Sequence, residues 1–180
     1  QTLCFSCSQP RVGQGACARC KMPYCGRACQ KADWQFTHRQ LCDFVRTADS
    51  RAAEAASAAV AACKGDVVRG ASCYICLTGG PGLVRGCACR GDAGYAHVAC
   101  LIRAEAELSR ESRDGLGQCP TCRQFYHGPV RLAVAWGEWR RVAKRQGKAF
   151  FDALRELGMA LHECDQDEDA LVLMRCRLKI

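Results

Sequence analysis

Residues 4–42 read CFSCSQPRVGQGACARCKMPYCGRACQKADWQFTHRQLC, a stretch that holds seven cysteines and one histidine. In order they are Cys4, Cys7, Cys17, Cys20, Cys25, Cys29, His38 and Cys42. Cys4 and Cys7, and again Cys17 and Cys20, form C-x-x-C pairs, tight knuckles whose two sulfurs face one metal. Cys25 and Cys29 are four residues apart, as are His38 and Cys42. Four residues is about one helical turn, so each pair can show both ligands on one helix face. Eight donors make two tetrahedral sites of four. The spacing fixes the ligand set but not its division, and a sequential pairing also satisfies it.

A second set follows at Cys73, Cys76, Cys87, Cys89, His97, Cys100, Cys119 and Cys122. Its intervals are C-x2-C, x10, C-x-C, x7, H-x2-C, x18 and C-x2-C. Each of the two segments is about 40 to 50 residues long, near the size where a hydrophobic core alone is insufficient. Zinc binding would supply much of the folding free energy. The expectation is four Zn²⁺ per chain.

Composition agrees with metal. The chain has 17 cysteines in 180 residues, far above ordinary usage. A secreted disulfide framework is the competing explanation. There is no basic-then-apolar leader at the N-terminus, and the spacing favours metal. The first residue is Gln1 and not methionine, so a fragment of a longer chain is the expectation. No apolar run approaches the roughly 18 residues of a membrane helix. The most apolar stretch, Ala52 to Cys63, is broken by Glu54. The expected location is therefore intracellular, in cytoplasm or nucleus.

The formal charge of +8 points at face value to nucleic acid or an acidic partner. A zinc with four thiolates carries −2, and one with three thiolates and a neutral imidazole carries −1. Two sites of each kind bring the loaded chain to about +2. Many Lys and Arg residues then read as neighbours of thiolate clusters, which argues against nucleic acid.

Four segments result: a first finger over 1–43, a helical linker over 44–70, a second finger over 71–124, and a helical region over 127–180. Phe44 to Ala62 is alanine-rich, without Gly or Pro, and reads as one helix ended at Lys64-Gly65-Asp66. It shares no ligand with either finger, which predicts fingers that fold independently. Two helical runs follow, Leu132, Val134, Ala135 and Trp139 in one and Leu154, Leu157 and Leu161 in the next.

The first segment resembles a MYND zinc finger over Cys4 to Cys42. The resemblance includes Tyr24-Cys25 and the run Cys29-Gln30-Lys31-Ala32-Asp33-Trp34. One departure is eight residues between Cys29 and His38, where seven is usual. A one-residue insertion near Phe36 is expected to alter a helix start. The resemblance implies a cross-brace, with Cys4, Cys7, Cys25 and Cys29 on one zinc and Cys17, Cys20, His38 and Cys42 on the other. It also implies an interaction module for proline-containing peptides, with Gln30 and Trp34 as contacts. The structural alternative is that Trp34 packs on the knuckles.

The second segment resembles a RING-CH finger, in which histidine is the fifth ligand. That implies Cys73, Cys76, His97 and Cys100 on one zinc, and Cys87, Cys89, Cys119 and Cys122 on the other. A PHD finger has the same ligand order and would suggest chromatin reading. It has a tryptophan two residues before the seventh ligand, where this chain has Gly117. RING-type fingers recruit a ubiquitin-conjugating enzyme and do no covalent chemistry themselves, so the gain is positional. The carried-over contacts are Ile75, Pro120 and Arg123, whose alternative reading is knuckle fillers and a solvated charge. Many RING-CH fingers have a groove tryptophan where this chain has Ala104. Ligase and pure scaffold are therefore both live.

Residues 151–180 resemble a tetratricopeptide repeat. Leu157-Gly158 are followed by Leu161, Ala170 and Met174, with Asp165 to Asp169 at the turn. A generic amphipathic hairpin is the alternative. One repeat cannot bury its faces alone. Either the Arg131–Lys148 helix covers it or further repeats lie beyond Ile180, and the latter is the expectation. Cys63, Cys164, Cys176, His127 and His162 fall outside both ligand sets and read as helix residues. The fold class is then two cross-braced double-zinc fingers joined by a helix, with a hairpin of tetratricopeptide type at the α-helical C-terminus.

Overall fold

The computed structural model describes residues 3–11, 13, 15–111, 117–145 and 147–177. All four C-x-x-C pairs build the same knuckle. The residue after the second cysteine turns left-handed: Ser8, Lys21, Leu77 and Arg123 have φ of 60° to 63°. Its N–H returns to the first cysteine's carbonyl at 2.8–3.0 Å. The first cysteine's own N–H reaches the carbonyl five residues on, at Gln9, Met22, Thr78 and Gln124. None of the four left-handed residues is glycine, so each turn carries strain of about 1 kcal/mol.

Helix α1 (Arg27–Asp33) runs through a π-helical turn at Trp34–His38 into α2 (Arg39–Arg46). A π turn takes one extra residue into a helix. The eighth residue between Cys29 and His38 is thus absorbed inside the helix, not at its start as expected. Thr47 (φ −97°, ψ 7°) then interrupts the run, and α3 spans Ala48–Ala62. The single helix expected over Phe44–Ala62 is two, because Thr47 bonds back to the Asp43 carbonyl through both its N–H and its hydroxyl. Cys63 caps α3, not Gly65.

Strands β1 (Leu83–Val84) and β2 (Ala96–His97) pair antiparallel, with Leu83 opposite His97. Helix α4 (Val98–Glu111) follows, then α5 (Gly128–Val142), α6 (Lys148–Glu163) and α7 (Asp167–Arg177). Helix α5 is the axis of the molecule. It is buried from Val130 to Trp139 and again at Val142, and it packs against α3, α4 and α6. Ala48, Ala52, Ala55 and Ala59 bury the inner stripe of α3. Gly137 lets α4 come close, since a Cβ there would stand 2.6 Å from Ile102.

The linker is therefore no spacer. Trp139 donates its indole N–H to the Phe44 carbonyl at 3.1 Å. Phe44 stacks on Trp136, and Arg51 lies over both rings at 5.0 and 5.4 Å. Phe5, beside the first ligand, meets Phe150 of α6 edge-on at 5.1 Å. One apolar core runs through both cysteine-rich segments and the helices. Such a shared core argues against two independently folding fingers, since the helical region packs on both.

Helices α6 and α7 form a hairpin around a turn where Asp165 has φ 58°. A Cβ on Gly158 would meet Leu173 and Met174 at 3.8 Å, an ordinary contact, so the packing does not demand glycine. Helix α5 covers the hairpin on its α6 side, and α2 packs against α7. This is the alternative that the sequence reading placed second. Cys63, His127 and Cys164 stand at helix ends rather than within helices.

Arg131, Glu138, Glu105 and Glu156 are buried where α4, α5 and α6 meet, and they line a cavity of about 20 Å³. Arg131 pairs with Glu156 at 3.2 Å and with Glu163, while Arg141 holds Glu138 at 2.9 Å. Among the described residues Glu105 accepts from the Gly117 N–H at 3.2 Å. Burial, with the nearby charges of Glu138 and Glu156, pushes its carboxyl up to about 7 despite that hydrogen bond.

Candidate metal centres

The structure gathers the sixteen predicted donors into four groups, each with all its ligand atoms within 4.8 Å of one another. They are Cys4, Cys7, Cys25 and Cys29; Cys17, Cys20, His38 and Cys42; Cys73, Cys76, His97 and Cys100; and Cys87, Cys89, Cys119 and Cys122. Both segments are cross-braced, since the first and third pairs meet, as do the second and fourth.

Knuckles supply Cys4, Cys7, Cys17 and Cys20 at the first module, and the helical run Arg27–Arg46 supplies Cys29, His38 and Cys42. In the second, β2 presents His97 and the first turn of α4 presents Cys100.

The spacing of the donors fits tetrahedral zinc. Zn–S bonds of about 2.3 Å at tetrahedral angles put sulfurs about 3.8 Å apart, and a histidine nitrogen about 3.5 Å from a sulfur. Cys7–Cys25 is 3.7 Å, Cys17–Cys42 is 3.9 Å and Cys89–Cys119 is 3.7 Å. Cys20 lies 3.5 Å from Nε2 of His38, and Cys76 3.3 Å from Nδ1 of His97. A disulfide would need about 2.05 Å. The two histidines thus offer different nitrogens.

The environment of the donors explains why a cation is required. Burial works against the Cys4 thiolate, but the N–H groups of Cys7, Cys25 and Ser6 outweigh it and bring it down to about 6. Cys20 goes the other way. Burial comes first, and with the charges of Cys42 and Cys17 it overcomes the Met22 N–H and drives the thiol up to about 12. Three or four thiolates do not ionise side by side without a positive ion to neutralise them. Zinc supplies that charge, and every position on it is filled by protein, so its role is structural.

Behind His38 stands a chain of buried partners absent from the sequence reading. The Tyr24 hydroxyl lies 2.9 Å from Nδ1 of His38 and donates to Asp33. Thr37 donates to the other Asp33 oxygen at 2.7 Å. These groups hold the imidazole's orientation with Nε2 toward the metal. Burial keeps His38 below its usual pKa, although Asp33 opposes this, so the ring stays neutral and able to ligate. The signal in the sequence was Tyr24 before Cys25 and Asp33 before Trp34, read only as family texture.

The candidate contact residues are scattered. Trp34 is half-buried with its ring 5.4 Å from that of His38, so it packs on a ligand, and Gln30 is half-buried one turn before it. Ile75 is half-buried within its knuckle, while Pro120 and Arg123 are exposed. Ala104 is half-buried on α4. His162 bonds Asp167 at 2.6 Å, and Cys176 donates to Gln40 at 3.3 Å. No helix among the described residues is long and apolar enough to cross a membrane.

Comparison with known proteins bears on the first module. Residues 4–42 match the family model of the MYND finger. A stretch of 45 residues, 25% of this chain, is 39% identical to dauer abnormal formation protein 25 of Caenorhabditis elegans. The match spans 11% of that protein's length. No solved structure matches the chain.

Proposed function

Starting from a zinc-binding MYND finger, a module of the protein-interaction kind, we propose an intracellular zinc scaffold that serves as a RING-type ubiquitin ligase. The first module and the helical hairpin, read as of tetratricopeptide type, choose protein partners. Gln30 and Trp34 hold proline-containing peptides, and the second module, read as RING-CH, recruits a ubiquitin-conjugating enzyme. The observation that carries the reading is the second module's closed, cross-braced donor set with a C-x-C third pair and a histidine fifth. It leaves no open metal position for chemistry, while its outer knuckles carry Ile75, Pro120 and Arg123.

The metal content is expected to be four zinc ions per chain, since four separate donor groups are present. Elemental analysis of the purified protein checks this, and two ions or fewer in folded protein would refute it.

The ligase reading has a sharper test. Ile75 would bury apolar area in the conjugating enzyme, worth up to about 1.5–3 kcal/mol. Arg123, with five donors, would instead hold ubiquitin's tail for attack. Ile75→Ala is then expected to abolish recruitment, and Arg123→Ala to leave binding nearly intact while slowing discharge of the thioester onto free lysine. If no conjugating enzyme in a broad panel is bound or stimulated, the second module is a scaffold alone. Ala104 favours that second reading, because the groove lacks the usual tryptophan, and Ala104→Trp would then gain nothing.

A further inference from the structure

A groove of about 1120 Å³ runs between α3, α4 and α5, larger than the usual 300–1,000 Å³ of small-molecule sites. Its walls are Ala52, Ala56 and Val60 of α3 and Val98 and Ile102 of α4, with Gly137 of α5 at the floor. It includes none of Ile75, Pro120, Arg123, Gln30 or Trp34. It is thus separate from every contact surface invoked above, and the inference holds whether or not the ligase reading does.

Two properties narrow the occupant. Apart from the zinc ligands His97 and Cys100, every ionisable side chain among the described residues along the groove is an arginine: Arg103, Arg140 and Arg141. Arg141 is held by Glu138 at 2.9 Å. Among the described residues Arg103 donates to Cys100 Sγ through one nitrogen, at 3.9 Å. Arg140 reaches Asp49 at 3.8 Å, an acid 89% exposed that holds it loosely. A guanidinium has five N–H donors, so Arg103 and Arg140 retain donors for a carboxylate partner. Among the described residues no Phe, Tyr or Trp lines the groove. A polyproline helix and a single-stranded nucleic acid both need aromatic faces to rest on. An added β-strand needs a strand edge, and neither β1 nor β2 offers more than one residue here. Small side chains between three helices suit another helix.

We propose that this groove docks an amphipathic helix of a partner protein, apolar on one face and acidic along its flanks. The apolar face would lie on the half-buried Ala56, Val60 and Ile102, and the acidic flanks would meet Arg103 and Arg140.

The test uses the zinc-loaded chain and two synthetic helical peptides with leucines at i, i+3, i+4 and i+7, one flanked by glutamates and one by lysines. Fluorescence anisotropy should show the glutamate peptide binding about tenfold tighter than its twin, with the difference shrinking as salt is raised. Ala56→Trp, which fills a half-buried groove position, should abolish binding while zinc content stays unchanged. Arg140→Glu, at a half-exposed site, should narrow or reverse the preference even if the groove-filled variant fails to fold. Binding of neither peptide, or equal binding of both, overturns the proposal. So does self-association in sedimentation that Ala56→Trp removes, because the occupant would then be a second copy.

Discussion

Cys20→Ser is expected to empty its zinc site and to lower the unfolding midpoint of the whole chain, in one transition rather than two. Cys20 is 2% exposed and lies 3.5 Å from the His38 nitrogen, so serine leaves a buried site without a competent fourth donor. Structural zinc sites contribute on the order of 10–16 kcal/mol, at or above the usual 5–15 kcal/mol net stability of a domain. The loss spreads because α2 carries Cys42 together with Phe44, whose carbonyl takes the Trp139 N–H. Through Trp139 and Trp136 the first module is joined to α5, and α5 is the floor for the second. Calorimetry with zinc analysis checks this. A variant that loses one zinc yet keeps an unmoved main transition would show that the first module is an appendage.

Arg131→Leu should cost about 3–5 kcal/mol, the usual penalty for leaving buried carboxylates without their cation. Arg131 is 6% exposed and Glu156 8%, and the guanidinium also holds Glu163. Glu105 and Glu138 line the same cavity. The loss should deepen with pH. Glu105 titrates near 7 in the folded chain against 4.5 in the open one. Its contribution is full below about pH 4.5 and is lost as pH rises through 7. Removing Arg131 takes away positive charge beside it and steepens that decline, and Glu105→Gln should flatten it. Denaturant titrations of the three proteins on either side of neutrality measure the slopes. A pH-independent cost for Arg131→Leu would mean that its role is packing alone.

The donors were legible in the sequence because metal ligation is a matter of residue type and short spacing. Each knuckle is a local object of about eight residues, closed by its own backbone hydrogen bonds. The helical propensity of the alanine run and the apolar periodicity around Leu154 and Leu157 were likewise local. What the sequence left out is long-range. Nothing near Trp139 announces Phe44 as its acceptor, 95 residues away. A spacing argument sees no ligand in the linker and reads a spacer, whereas the alanines at 48, 52, 55 and 59 are there for close approach to α5. Nothing local in the sequence marks Arg131 and Glu138 as interior residues. They are buried because α5 is covered on all sides, and only tertiary structure says so. The π turn at Trp34–His38 was visible as one surplus residue, but its location depended on where the helix had to deliver His38.

The positions of the tryptophans make the protein its own optical probe. The chain has three. Trp136 and Trp139 are 2% and 0% exposed in the core, and Trp34 rests half-buried against the ring of a ligand. Emission from the first two follows the packing of α5, while emission from the third follows the state of one imidazole. On mixing with a chelator, Trp34 reports departure of the ion and the core pair reports loss of packing. The interval between the two signals is then the lifetime of a protein that has lost its metal but not yet its shape.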